Sequence, residues 1–149
     1  MKAISFWEMI SSLNNSICIP RIQRDYAQGR IGKELLRQRL LMRCKEVLDD
    51  PSQHLLLDVV YGSKDDENKY YPLDGQQRLT TLWLLHWFVA FNANELDDET
   101  RNYLSNFSYE TRRSSSDFCK FLCQLKYTSG VSSSKDLRSY ISSQTKFSA

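Results

Sequence analysis

The sequence predicts an α+β domain: a small mixed sheet packed with helices, followed by a helical C-terminal region. Three observations point there. Short β-prone runs recur at 17–19, 55–61 and 69–73. Two stretches of helical spacing, 33–48 and 76–93, lie among them. From Ser114 onward, serine clusters precede apolar residues at helical intervals. With 149 residues, 41% of them apolar and 12% aromatic, the chain can bury one core of ordinary size.

Each element has a local reason. Ile4, Phe6, Trp7, Ile10 and Leu13 recur at helical spacing, so the chain opens with a helix that Asn14, Asn15 and Ser16 interrupt. Ile17, Cys18 and Ile19 form a short strand; Pro20 stops it, since proline cannot donate to a ladder and biases its predecessor toward extended geometry. A polar loop over 21–32 leads to Leu36, Leu40, Cys44, Val47 and Leu48, the stripe of a second helix over 33–48. Asp49, Asp50, Pro51 and Ser52 end that helix. The continuous, partly β-branched run 55–61 is expected to be a strand covered on both faces. After a polar turn over 62–68, residues 69–73 return as the second arm of a hairpin, with Pro72 at its edge or end.

Asp74 is then a favourable N-cap for a helix over 76–93. Its apolar residues (Leu79, Leu82, Trp83, Leu84, Leu85, Trp87 and Phe88) cover every direction around the axis, which makes it the expected centre of the core. Beyond it, 101–107 begins a short helix or turn and 107–111 is extended. Serines 114–116 with Asp117, and serines 132–134, offer caps to two further helices. The organisation expected is a domain over 1–95 and, over 96–149, the start of a helical region belonging to a longer chain.

Bulk properties narrow the function classes. The net charge of +2 is small but unevenly distributed. Arg21, Arg24, Arg30, Lys33, Arg37, Arg39, Arg43 and Lys45 face only Asp25 and Glu34 over 21–45, a block able to meet phosphate or to form a solvated helix surface. The most apolar run, 79–91, is too short to span a bilayer. Glu8 interrupts the N-terminus too early for a secretory signal. Cys18, Cys44, Cys119 and Cys123 form no compact disulfide framework, so a reducing cytoplasm is expected and all four are taken as packing residues. No metal site is expected.

Two segments carry candidate chemistry. In 73–82, Gly75 and hydrogen-bonding side chains stand where a strand gives way to a buried helix. Backbone N–H groups at a helix start, aided by the helix dipole, attract phosphate; Gly75 would admit a ligand to the backbone, Arg78 would add a forked donor, and Thr80 or Thr81 hydroxyls. Local spacing alone favours an ordinary helix cap with a surface arginine. The second segment, 19–30, is a loop dense in planar donors: Gln23, Arg24 and Arg30 can grip a base or phosphates, with Tyr26 placed to stack. A solvated loop explains it equally well when it is taken alone.

Taken in order, Pro20-Arg21-Ile22-Gln23-Arg24 and Asp74-Gly75-Gln76-Gln77-Arg78-Leu79-Thr80-Thr81-Leu82 resemble the N-terminal domain of GmrSD-type restriction endonucleases, in the ParB and sulfiredoxin-like superfamily. The stretch 109–119 is similar to one that follows in many members. The resemblance implies a ParB-like fold in which Asp74, Gly75, Gln76, Gln77 and Arg78 form the phosphate box and Gln23 and Arg24 lie opposite it. It further implies a nucleoside triphosphate with Mg²⁺ as ligand, hydrolysis in some relatives, and regulation of a DNA nuclease located elsewhere in an anti-phage restriction system. Ile22 and the run Ala27-Gln28-Gly29-Arg30 depart from the commoner aromatic pattern, so base identity does not carry over. The chain has only His54 and His86 and no His-Asn-His constellation, so cleavage of DNA by this chain alone is not expected. Sulfiredoxin-like chemistry is set aside because the box holds no cysteine. The rival expectation is a DNA-sensing module that uses no nucleotide and meets DNA through the basic block, with Arg30, Lys33 and Arg37 as phosphate contacts.

Overall fold

In the computed structural model, residues 4–12, 16–21, 31–50, 52–111, 113–127 and 134–144 are described. Helix α1 (Phe6–Ser11) begins at Ser5, whose hydroxyl accepts from the Glu8 N–H while the Glu8 carboxylate accepts from the Ser5 N–H, a reciprocal cap. Strand β1 (Ser16–Ile19) follows, then helix α2 (Glu34–Asp49), strand β2 (Gly62–Lys64) and strand β3 (Lys69–Pro72). Helix α3 (Gln76–Asn92), helix α4 (Asp98–Ser105), strand β4 (Phe107–Tyr109), helix α5 (Arg113–Gln124) and helix α6 (Ser134–Gln144) complete the described chain. The architecture is α+β, as the patterning predicts.

The sheet is four-stranded and mixed, in the order β2-β3-β1-β4. β1 runs parallel to both neighbours, with Ile17 opposite Tyr70 on β3 and opposite Phe107 on β4. β2 and β3 form the antiparallel hairpin. Its turn is organised by Asp65, whose Oδ1 accepts from the N–H groups of Glu67 and Lys69, and by Asn68 in the left-handed region at φ 62°.

The run 55–61 differs from expectation. It pairs with no strand: Leu56 is 81% exposed and Tyr61 60%. The reason lies in register. Gly62 stands opposite Pro72, the last residue of β3, so anything before Gly62 would have to pair beyond the point where the chain leaves the sheet for α3. A β-prone run cannot become a strand without an edge to join.

α3 lies at the centre of the core, but on one face rather than all round. Leu79, Trp83, Trp87 and Phe91 are buried, whereas Phe88 and Val89 are exposed. Trp83 stacks on Phe107 of β4 with centroids 5.7 Å apart. The indole N–H groups of Trp83 and Trp87 donate to the carbonyls of Leu104 and Leu122, at 2.9 and 2.8 Å. These bonds satisfy carbonyls near the C-terminal ends of α4 and α5, where helical partners run out. Residues on both sides of position 95 share one core, and β4 extends the sheet. Arg101 adds to it by donating to the carbonyls of Cys123 and Leu125.

His86 joins α1 to α3. Its ring lies parallel to Trp7 at 6.0 Å and contacts Phe6 at 5.0 Å, and Nδ1 donates to the Leu82 carbonyl at 2.8 Å. Burial lowers its pKa below the ordinary 6.5, opposed in part by the bond to Leu82. Below pH 6.5 the unfolded chain therefore takes up a proton that the folded chain resists, so this contribution to stability is present above that pH and is lost as the pH falls. An NMR titration should place the His86 Hε1 midpoint below 6.5, and His86→Phe should flatten the acid-side loss of stability measured by urea unfolding.

Candidate functional site

Because β3, β1 and β4 are parallel, their C-terminal ends share one edge of the sheet. β3 delivers the Asp74–Arg78 box there, β1 delivers Pro20 and Arg21 at the stem of the donor-rich loop, and β4 delivers Glu110 and the start of α5. The loop stem is fastened to β4: the Glu110 carboxylate accepts from the Arg21 N–H at 2.8 Å, and the Glu110 N–H donates to the Ile19 carbonyl at 2.9 Å. Gln23, Arg24 and Arg30 lie outside the described residues. The C-terminal edge of parallel strands, beside helix N-termini, is where α/β folds place ligands.

The box itself is tightly held. The N-cap of α3 is Gly75, not Asp74: its backbone is left-handed (φ 78°, ψ 6°), and no side chain caps the helix. Asp74 instead turns its carboxylate to Arg78, 3.5 Å from Nη2. Gln76 Nε2 donates back to the Pro72 carbonyl at 2.6 Å, and the Gln77 carbonyl accepts from the Thr81 hydroxyl at 2.8 Å. Thr80 and Thr81 are both buried, and the Thr80 hydroxyl meets that of Tyr109 at 3.2 Å. Ser116 Oγ, from the first turn of α5, accepts from the Tyr109 N–H at 2.9 Å. Thr80 thus ties the helix behind the box to Tyr109 of β4, which Ser116 of α5 holds in turn, while Thr81 bonds back within α3.

Residues 58–61 cross the box from the other side. The Tyr61 carbonyl accepts from the N–H groups of Leu73 and Asp74, at 2.9 and 3.2 Å. Arg78 Nη2 donates to the Val59 carbonyl at 3.1 Å, and Nη1 lies 4.0 Å from the Asp58 carboxylate. Val60 fills the side of Gly75 that a side chain would occupy: a Cβ there would come within 2.6 Å of Val60 Cγ2. The space that Gly75 was expected to open for a ligand is thus taken by this strap. The sequence offered one sign of its location, the charged Asp58 inside an otherwise apolar run.

Lys33 and Arg37 lie at the start of α2, which packs lightly on the rest of the fold and buries only Cys44. Two residues of the basic block find acidic partners on α2. Arg43 pairs with Glu46 at 3.3 Å and Lys45 with Asp49, so four basic residues of α2 stand against three acidic ones. The four cysteines are free and buried. Burial pushes the Cys119 and Cys123 thiols up to about 12 and about 11, which leaves them un-ionised and unreactive at neutral pH. Among the described residues, no group of three or more His, Cys, Asp or Glu is placed to hold a metal ion. Nor is any helix among them long and apolar enough to cross a membrane.

The family model described as the N-terminal domain of the GmrSD restriction endonuclease matches residues 6–147. The chain belongs to this family. It is therefore a domain of a restriction, anti-phage defence protein. No curated protein and no solved structure matches it. The match to the GmrSD N-terminal domain takes in the loop stem, the box and the β4–α5 junction together, so the edge described above lies wholly within the family's domain.

Gly75 is required twice over, by its left-handed backbone and by Val60. Gly75→Ala should lower the unfolding free energy by about 2–4 kcal/mol, combining the left-handed penalty with overpacking. Leu73→Ala, at an exposed neighbouring position, should change it by no more than about 0.5 kcal/mol. Urea unfolding of the two variants beside the parent checks this.

Proposed function

We propose that the C-terminal edge of the sheet binds a nucleoside triphosphate, and that its occupancy regulates a DNA nuclease elsewhere in the restriction protein. The observation that carries this reading is the convergence of the box, the donor-rich loop stem and the start of α5 on one edge. Phosphates would rest on the backbone at the start of α3, from Gly75 to Gln77, at the positive end of the helix dipole. Arg78 would neutralise charge with its planar fork, and Gln23 and Arg24 would approach from the loop. Thr80 and Thr81 act by holding the box in place. Asp74, beside Arg78, suits a ribose hydroxyl or a metal ion carried on the phosphates.

The described residues fit Mg²⁺ that arrives with the triphosphate rather than one caged by protein. Magnesium commonly uses one or two carboxylates plus phosphate oxygens, and Asp74 and Glu110 both stand at this edge. Bound there, it would screen phosphate charge. DNA, the nuclease part and a cytoplasmic setting follow from the restriction role. A nucleotide-free DNA module gains less support, because Arg43 and Lys45 of the basic block are paired with Glu46 and Asp49.

Calorimetry with Mg·ATP, Mg·GTP, Mg·CTP and Mg·UTP should reveal saturable binding of at least one. Arg78→Ala should weaken that binding by roughly 10- to 100-fold, the worth of a charge-assisted hydrogen-bonding fork, with Arg78→Lys between the two. A folded protein that binds none of the four overturns the proposal. Phosphate release under the same conditions decides whether the ligand is also hydrolysed.

A further inference from the structure

We propose that residues 58–61 form an autoinhibitory strap that competes with the triphosphate for the box; this rests on the nucleotide reading above. At the box, the strap holds a group the ligand would need, the Arg78 guanidinium, and fills a space it would enter, beside Gly75. The Tyr61 carbonyl takes the N–H groups of Leu73 and Asp74, just ahead of the helix start. Val60 covers the open side of Gly75. The Val59 carbonyl and the Asp58 carboxylate hold the Arg78 guanidinium, whose side chain is left only 21% exposed. An oxygen-rich backbone turn with a carboxylate beside it presents acceptors to these donors much as a phosphate chain does.

Little else secures the strap. It joins no strand, Leu56, Val59 and Tyr61 are exposed, and the Asp58 side chain is 92% exposed. Apart from the box, Val60 packs against the edge of the core and its carbonyl accepts from the Tyr70 hydroxyl at 3.3 Å. Displacement gives up the packing of Val60 on the core, whereas an incoming phosphate forms stronger, charge-assisted bonds with the same guanidinium. Docked strap and bound triphosphate exclude one another, so apparent affinity is reduced by the fraction of molecules in which the strap is down. By the same linkage, the ligand releases the strap and alters the surface that carries Leu56, Val59 and Tyr61.

The test compares the 149-residue chain with its D58N variant, an exposed change that leaves every residue of the box in place. At low salt, D58N should bind the Mg·triphosphate roughly two- to fivefold more tightly than the parent, the range set by an exposed ion pair, and the gap should close as salt rises. Chymotrypsin should cleave at Leu56, Leu57 or Tyr61 at least about fivefold faster when the parent is saturated with that nucleotide, because cleavage tracks opening. Binding seen only in D58N supports the strap as well. Equal or weaker binding by D58N, or strap cleavage that is unchanged or slower at saturation, overturns the strap while leaving nucleotide binding intact. Absence of binding heat in both proteins, each still folded by circular dichroism, removes the nucleotide reading and the strap with it.

Discussion

The parallel pairing of β1 with both β3 and β4 is the constraint on which the rest depends. β1 has only four residues, yet its direction decides which loops meet. Were β1 antiparallel to β3, the donor-rich loop would leave at the other end of the strand, roughly 13 Å from the box at the usual rise per residue. Parallel neighbours require crossovers, and the chain supplies them: α2 on the way from β1 to β3, and α3 with α4 on the way from β3 to β4. Segments about 35 to 90 residues apart in sequence thereby reach one edge.

The edge has a rigid side and a lightly held side. α3 is fixed at depth by Trp83 and Trp87, whose indole N–H groups reach α4 and α5, and nearer its start Thr80 meets Tyr109 of β4. Gly75 and Arg78 are thus presented from a frame that moves little. The strap and α2 are held by backbone carbonyls, single ion pairs, the packing of Val60 and one buried cysteine. A domain that must report occupancy to a partner benefits from this division, since only weakly held elements can change state for the few kcal/mol a ligand supplies.

Much was legible from local pattern. Pro20, Pro72 and the 33–48 stripe marked elements whose boundaries differ in the structure by a residue or so, and the box was visible because its chemistry is contiguous in sequence. Three features were not legible. The strap looked like a buried strand because β-propensity does not reveal whether an edge is available. Asp74 looked like a helix cap because a cap's identity depends on the backbone angles of the next residue. The basic block looked stronger than it is because Glu46 and Asp49, just beyond it, fold back onto Arg43 and Lys45.

The sequence by itself determined the α+β class, the central apolar helix and the contiguous motif from Asp74 to Arg78, since each rests on periodicity and spacing within one segment. Only the tertiary structure decided that Gly75 is covered by Val60, that Arg78 is held by Val59 and Asp58, and that Glu110 fastens the neighbouring loop. The physical reason is that periodicity records which face of a segment is apolar, whereas the partner of each donor and acceptor is fixed by strand direction and register, which bring distant parts of the chain together.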